Sequence, residues 1–522
     1  MIHHWMTRSA VPSPNHLLPS WCNLMALENI EHVVVVMMEN RSFDNLLGWL
    51  YDNLTDPPRF NIPDQVSPTF DGLRAMTHSN QLNGATVFAG RPPTAWPPAN
   101  NPSVVPSPDP HEGFPYVNAQ LFGTTNPAPG AVADMSGFLL DYSAPDAGGG
   151  NAAQIMQTFG PTEANVLNDL ARNFAVCDQW YSSVPTQTWP NRGFVHTGSS
   201  DGHINNDNFE PYDIPTIFNV LESQGKSWGV YHNTTFIPSL TLAQFFPRLI
   251  PHVEKIQRYE TFKNLCAAPS TATPAQKLPQ YSFVEPRFTP ELGLFAIDFP
   301  ADYHPPHNIC RGERFLADVY EAVRSSPYRD AILLVITFDE HGGCYDHVPP
   351  PTGAAPPDPS PQSRDGTFDF SRFGVRVPTI VVSSYVRPGT VFRAPQGHAP
   401  YDHTSILATV RDWLTLDADA HNPFLTSPRI KNAPSLDAVL SLDDNNKNAN
   451  WPSITAVCSI GDDDQSLQTP LNSLQHSLIA SAARQHTATP TDQATVMQSA
   501  VHAKSLRTYE AALNFLHPDA PK

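Results

Sequence analysis

Residues 30–45 read IEHVVVVMMENRSFDN, and this stretch decides the architecture. The run Val33-Val34-Val35-Val36-Met37-Met38 has the length of a strand, and no polar residue interrupts it. Successive strand side chains point to opposite faces, so an unbroken apolar run describes a strand covered on both sides. It stops at Glu39-Asn40-Arg41-Ser42, a polar cluster at the strand's carboxyl end. Parallel sheets bind their ligands outside those ends.

The same grammar recurs downstream. AILLVITF (Ala331–Phe338) is apolar and ends in Asp339-Glu340-His341-Gly342-Gly343. VPTIVVSSYV (Val377–Val386) is a third such strand, and SWGVYHN (Ser227–Asn233) follows a helix closed by Gly225. Helical spacing also appears over Thr162–Asn173 and Gly312–Arg324. Strands alternating with helices predict an α/β domain with a largely parallel central sheet. That domain is expected over residues 27–440, after an irregular extension (1–26). Residues 52–135 are loop-rich, with proline clusters suited to a pocket wall. Beyond 440, Thr469-Pro470 opens a helix with Leu471, Leu474 and Leu478 on one face,. A second helix is expected over Asp492–Leu516. Residues 441–522 therefore read as a C-terminal helical hairpin without catalytic chemistry, its apolar face expected to pack on the main domain and to be dispensable for the chemical step.

Composition excludes several classes. The 522 residues are 40% hydrophobic and only 16% charged, which rules out a charge-rich disordered chain,. A net charge of −19 argues against nucleic acid, and against anchoring to anionic membrane through a basic patch,. No run approaches the ~18 apolar residues of a transmembrane helix. The first residues lack the apolar core of a signal peptide, which leaves the location open between a cytoplasmic protein and export by a route not readable here. Six cysteines lie without CxxC or zinc spacing, which leaves the redox compartment open,.

Four clusters can carry chemistry. Glu39 and Asn40 offer hard oxygen ligands for a divalent cation, or else cap a loop. Asp339 and Glu340 repel one another unless a cation or protons intervene, and the glycines after them permit a tight turn. Asp302-Tyr303-His304-Pro305-Pro306-His307 is held extended by its prolines and offers imidazoles for phosphate contact or proton transfer. In Ser183–Arg192 (SVPTQTWPNR) a threonine hydroxyl stands near a helix start, where it is either a nucleophile or an N-cap. Gly198-Ser199-Ser200-Asp201-Gly202 matches the G-x-S-x-G nucleophile elbow, but neither the strand before it nor the helix after it is readable.

Together these segments resemble the phosphoesterase family of bacterial phosphatidylcholine-type phospholipases C, related acid phosphatases and plant non-specific phospholipases C. The resemblance runs from about Ile30 to Leu416 through ENRSFDNLLGWL, SVPTQTWPNRGFVHTGSSDG, DYHPPHNICRGERF, ITFDEHGGCYDHVPPP, FGVRVPTIVVSSYVRPGTV and YDHTSI. It implies an alkaline-phosphatase-like α/β/α sandwich. It also implies one divalent metal, of unnamed identity, on Glu39, Asn40, Asp339, Glu340 and Thr188. Thr188 would attack phosphorus and form a phospho-threonine; His304 and His111 would be catalytic and contact phosphate, with His232 a looser substrate contact. The expected substrate is a phosphatidylcholine-like phosphodiester, with peripheral membrane contact left open. A phosphomonoester-cleaving acid phosphatase is the alternative, and a non-catalytic binding protein on this scaffold the remote one. Thr186 offers a second hydroxyl two residues before Thr188, and Cys344 replaces the aromatic residue usual between HGG and YDH.

Overall fold

The computed structural model describes residues 27–91, 102–206, 211–235, 237–293, 296–416, 423–458, 466–486, 501–503 and 505–516. The expected extension at 1–26 lies outside them. Nine strands form the main sheet: β1 (His32–Met38), β2 (Phe60–Ile62), β3 (Ala175–Cys177), β4 (Trp228–His232), β5 (Ile256–Arg258), β6 (Tyr281–Glu285), β7 (Ile332–Phe338), β8 (Thr379–Val382) and β9 (Thr390–Phe392). Their spatial order is β2-β9-β3-β8-β7-β1-β6-β4-β5. The valine run occupies the interior: β1 pairs in parallel with β7, from His32 opposite Ile332 to Met38 opposite Phe338, and with β6 on its other side. Every residue of β1 and β7 is buried, so both sheet faces are covered, as the unbroken apolar runs require,.

One strand runs the other way. β8 is antiparallel to both β7 and β3, where a third strand of the same sense was expected. A strand's own residues do not record its direction; the connection does. Because β7 ends and β8 begins at the same edge, residues 339–378 never recross the sheet. They stay above the carboxyl ends of the parallel strands.

The helices that matter for function are α1 (Phe43–Leu47), α2 (Phe114–Phe122), α3 (Asn165–Asn173), α4 (Thr188–Thr197), α5 (Ile217–Ser223), α6 (Ile309–Arg324), α7 (Thr404–Leu414), α8 (Ser473–His486) and α9 (Tyr509–Leu516). A smaller core of Val117, Leu121, Phe138, Tyr142 and Ile155 holds the loop-rich segment together. Leu471, Leu474 and Leu478 are buried, so the expected apolar stripe packs inward. The second C-terminal helix departs from expectation. Among the described residues, the backbone leaves helix at Leu506-Arg507, Thr508 pairs with Pro470, and α9 starts only at Tyr509. That backbone pair competes with helix for the same N–H and C=O groups. A disulfide, Cys310–Cys458, ties the start of α6 to the C-terminal segment. No helix among the described residues is long and apolar enough to cross a membrane.

Candidate active site

The register of β1 and β7 brings Glu39-Asn40 beside Asp339-Glu340, since each pair directly follows its strand. The Asp339 N–H donates to Met38 O at 3.1 Å, and Asn40 N–H to Asp339 Oδ1 at 3.0 Å. Asn40 holds a left-handed φ of 54°. The turn after Glu340 presses against it: a Cβ on Gly342 would stand 2.2 Å from Asn40 O, so only glycine fits,.

Thr188 arrives from a separate segment of the same chain, at the start of α4. Gln187 is extended, Pro190 sits in the first turn, and Gly198 closes α4 in the left-handed region, so this helix starts and stops where its sequence dictates,. Asn191 braces the preceding loop, accepting from Val184 N–H at 3.1 Å and donating to Thr186 O at 2.8 Å. Thr188 Oγ1, fully buried, donates to Glu39 Oε2 at 3.0 Å. Thr186 Oγ1 instead donates to Ile204 O at 2.6 Å, and Ser200 Oγ to His203 O at 2.7 Å. Both hydroxyls are committed to backbone carbonyls, and G-x-S-x-G here follows a helix rather than a strand.

One turn along α4, Arg192 donates from Nε to Glu39 Oε1 at 2.9 Å and from Nη2 to Met37 O at 3.0 Å. It lies 4.0 Å from Asp339 Oδ2. The Arg192 guanidinium stays firmly charged: burial alone would lower its pKa, but Glu39 and Asp339 raise it,. Burial, then Asp339, pushes the Glu39 carboxyl well up. Burial also raises Asp339, and burial with Glu112 raises Glu340. These carboxylates repel one another in a dry site.

Two buried oxygens here accept from no donor: Asn40 Oδ1 and Asp339 Oδ2. The Asn40 amide orientation follows from its partners, because Nδ2 faces the carboxylates of Glu112 (2.7 Å) and Glu340 (2.5 Å),. Buried oxygen acceptors without donors, among mutually repelling carboxylates, fit a divalent cation. Glu340 is more committed: its oxygens accept from Asn40 Nδ2 and from Gly342 N–H at 2.7 Å.

The histidines separate. His304 is buried, with Nε2 at 3.2 Å from Glu112 Oε1 and Nδ1 at 3.5 Å from Asp109 Oδ1. Burial opposes its charge, but Asp109 and Glu112 raise its pKa well above the usual value. His111 stacks on Tyr116 and pairs with Asp141 at 3.3 Å, which raises its pKa. From that loop it is Glu112, a residue sequence reasoning passed over, that reaches Asn40. His232 ends β4 opposite Glu285, two strands from β1, and bonds Thr234 Oγ1 at 2.7 Å.

Sequence reasoning also missed Arg192, although it stands in the quoted T-x-P-N-R segment, and His403 of YDHTSI, whose Nε2 donates to Asp339 O at 2.6 Å. More distant still is the C-terminal segment. Tyr509 OH donates to His307 Nε2 at 2.7 Å, and His307 Nδ1 donates to Asp302 Oδ1 at 2.6 Å. Asp302 in turn accepts the His304 N–H, and its carbonyl accepts the Glu39 N–H. Outside these groups opens a cavity of about 940 Å³, lined in part by Glu112, Phe114, Tyr116, Gln187, Phe368 and Arg372. Residues 109–129 and 362–372 supply most of its wall, so only part of the expected 52–135 segment takes part.

Comparison with known proteins places this geometry in context. The model of the Phosphoesterase family matches residues 30–417. Non-specific phospholipase C1 of Arabidopsis thaliana is 36% identical over 401 residues, covering 74% of this chain and 67% of that protein. Phospholipase C B of Mycobacterium tuberculosis (strain ATCC 25618 / H37Rv) is 25% identical over 444 residues, covering 77% and 74%. A solved structure described as a protein in the alkaline phosphatase superfamily, from Vibrio parahaemolyticus, aligns over 54% of this chain and 66% of its own at TM-score 0.31 and 12% identity, a likeness too loose to argue from.

Proposed function

Because the chain belongs to the Phosphoesterase family and is a hydrolase of phosphoester bonds, we propose that it cleaves phosphatidylcholine-like phosphodiesters in the manner of a phospholipase C, through a phospho-threonine on Thr188. One observation carries the reading: the buried Thr188 hydroxyl, at the first residue of α4, donates to Glu39 beside the donorless oxygens of Asn40 and Asp339. Pointing its proton at Glu39 leaves an Oγ1 lone pair for phosphorus. The N–H groups of the first helical turn favour negative charge developing there. Oγ1 forms the new bond to phosphorus while the bond to the lipid alcohol breaks; water then splits the phospho-threonine and frees Thr188.

Glu39, Asn40, Asp339 and Thr188 would hold one divalent cation, with Glu340 completing the set. Such an ion supplies positive charge that acidifies the threonine hydroxyl and neutralises phosphoryl oxygens. Arg192 holds Glu39 in place. His304, kept protonated by Asp109 and Glu112, sets a further positive charge toward the phosphoryl group. His111 lies on the cavity wall, where it can meet the head group, and His232 is the outermost candidate contact.

The test assays purified full-length protein on phosphatidylcholine vesicles and on an aryl phosphate monoester. Release of phosphocholine, lost in Thr188→Ala, supports the reading. Preference for the monoester overturns the phosphodiester assignment, and an active Thr188→Ala overturns the nucleophile.

A further inference from the structure

A second cluster stands next to the Glu39–Asp339 centre. Asp109, Glu112 and His304 each offer one ligand atom, and these atoms lie within 4.8 Å of one another. His304 is fully buried. Its Nδ1 lies 2.6 Å from Pro305 O, and a carbonyl only accepts, so Nδ1 is the donor,. A backbone bond of this kind orients an imidazole and leaves Nε2 as the ligand atom. Nε2 has no aligned hydrogen-bond partner, even though Glu112 Oε1 is 3.2 Å away. Asp109 Oδ1 is likewise donorless.

A second triad of this type among the described residues is already neutralised. Asp44 and Asp346 accept from Arg376 at 2.9 and 3.0 Å, so Asp44, Asp346 and His347 need no ion. Among the described residues no guanidinium hydrogen-bonds Asp109 or Glu112; Arg41 acts on Asp109 only through its charge, and His304 is the one cation paired with both. The Asn40 amide divides the two centres, its Nδ2 facing Glu112 and Glu340.

We propose that Asp109, Glu112 and His304 bind a second divalent cation, separated from the first centre by the Asn40 amide. A mixed nitrogen and oxygen set suits Mn²⁺ or Zn²⁺ better than Ca²⁺. Ligands about 2.1 Å from such an ion stand roughly 3.5 Å apart, so the cluster closes with side-chain shifts of about 1 Å. Asp109 and Glu112 both line the large cavity, which gives the ion an entry path. Binding displaces the proton that His304 otherwise carries, so positive charge on this side of the phosphoryl group is kept. The role at the phosphoryl group rests on the function proposed above; the site itself stands on its geometry.

The experiment titrates chelator-treated, full-length protein with Mn²⁺ alone. Bound ions are counted by equilibrium dialysis, and spin coupling between neighbouring ions is read by electron paramagnetic resonance. The expected result is two ions per chain with a coupled signal, falling to one uncoupled ion in both Glu112→Gln and Asp339→Asn. Circular dichroism checks each fold, and Asp109→Asn replaces Glu112→Gln if that variant misfolds. A single ion that survives Glu112→Gln but not Asp339→Asn overturns the second site and leaves the first reading intact. A single ion with the opposite behaviour supports this site and overturns the first. Two ions without coupling, or none, overturn the proposal.

Discussion

Replacing Arg192 by methionine removes the guanidinium while keeping an unbranched apolar stem, and the structure says what that should cost. Arg192 and Glu39 are both fully buried, joined through Nε and Nη2, and the same guanidinium is the cation nearest to Asp339. Breaking a buried pair by deleting one partner costs about 3–5 kcal/mol, because the other charge stays behind without compensation. Glu39 already has a raised pKa from burial and Asp339, so the variant must either protonate it or keep an anion beside an anion. A divalent cation at the same carboxylates would supply the missing charge. Arg192→Met should therefore lose about 3–5 kcal/mol in chelator, but only about 1–2 kcal/mol, the scale of lost hydrogen bonds, when Mn²⁺ is saturating. Urea unfolding followed by tryptophan fluorescence, with and without chelator, reads both deficits as midpoint shifts at constant slope. Equal deficits in the two conditions would refute the reasoning, because Arg192 would then serve packing alone.

The remaining expectations are simpler. Thr188→Ala should cut turnover at least about 10³-fold on both ester types, while Thr186→Ala and Ser200→Ala stay within about tenfold; an inactive Ser200→Ala would restore the elbow. His347 titrates higher than usual, at about 9, because Asp44 and Asp71 outweigh the burial that would lower it. A raised histidine stabilises fully below its unfolded value near 6.5, and that contribution disappears as pH rises through about 9. Wild type should thus lose up to about 3 kcal/mol between pH 6.5 and 9.5 that His347→Gln does not; parallel pH curves would contradict this. Tyr509→Phe removes the shorter of two contacts to buried His307 Nε2, Gln475 Nε2 at 3.3 Å being the other, and should cost about 1 kcal/mol, with a fall in kcat on a soluble ester at unchanged KM,. Truncation after Ser441, which also deletes Cys458, should be more damaging; full activity of that truncated chain would show the segment to be dispensable after all.

The strands that build the centre were legible because burial on both faces leaves an unmistakable apolar run, as in Val33–Met38 and Ile332–Phe338. The polar clusters after them were legible for the same reason, since a polar residue directly after such a run must sit at a strand end. Direction was not: β8 has the composition of its parallel neighbours and runs against them. Glu112 was invisible because a charged residue in a proline-rich loop has no period to announce where it points. Arg192 could be seen, but not its partner Glu39, which lies 153 residues away in sequence. The C-terminal helices showed their leucine stripe and hid their contact with the site loop, because Tyr509 meets His307 through one hydroxyl that no spacing connects to it.

That Tyr509–His307 contact has a consequence for the time at which the protein matures. The two residues are 202 positions apart. A ribosome adding about 5–20 residues per second takes roughly 10–40 s to travel between them. Throughout that interval the loop carrying His304 exists without the hydroxyl that completes its hydrogen-bond chain. Cys310 waits similarly for Cys458, 148 residues later, and then needs an oxidant. The nascent chain therefore holds Thr188, Glu39 and Asp339 well before it holds the contacts that steady their neighbours. A phosphoester-cleaving centre assembled in this order gains its steadying contacts only once Cys458 and Tyr509 have been made.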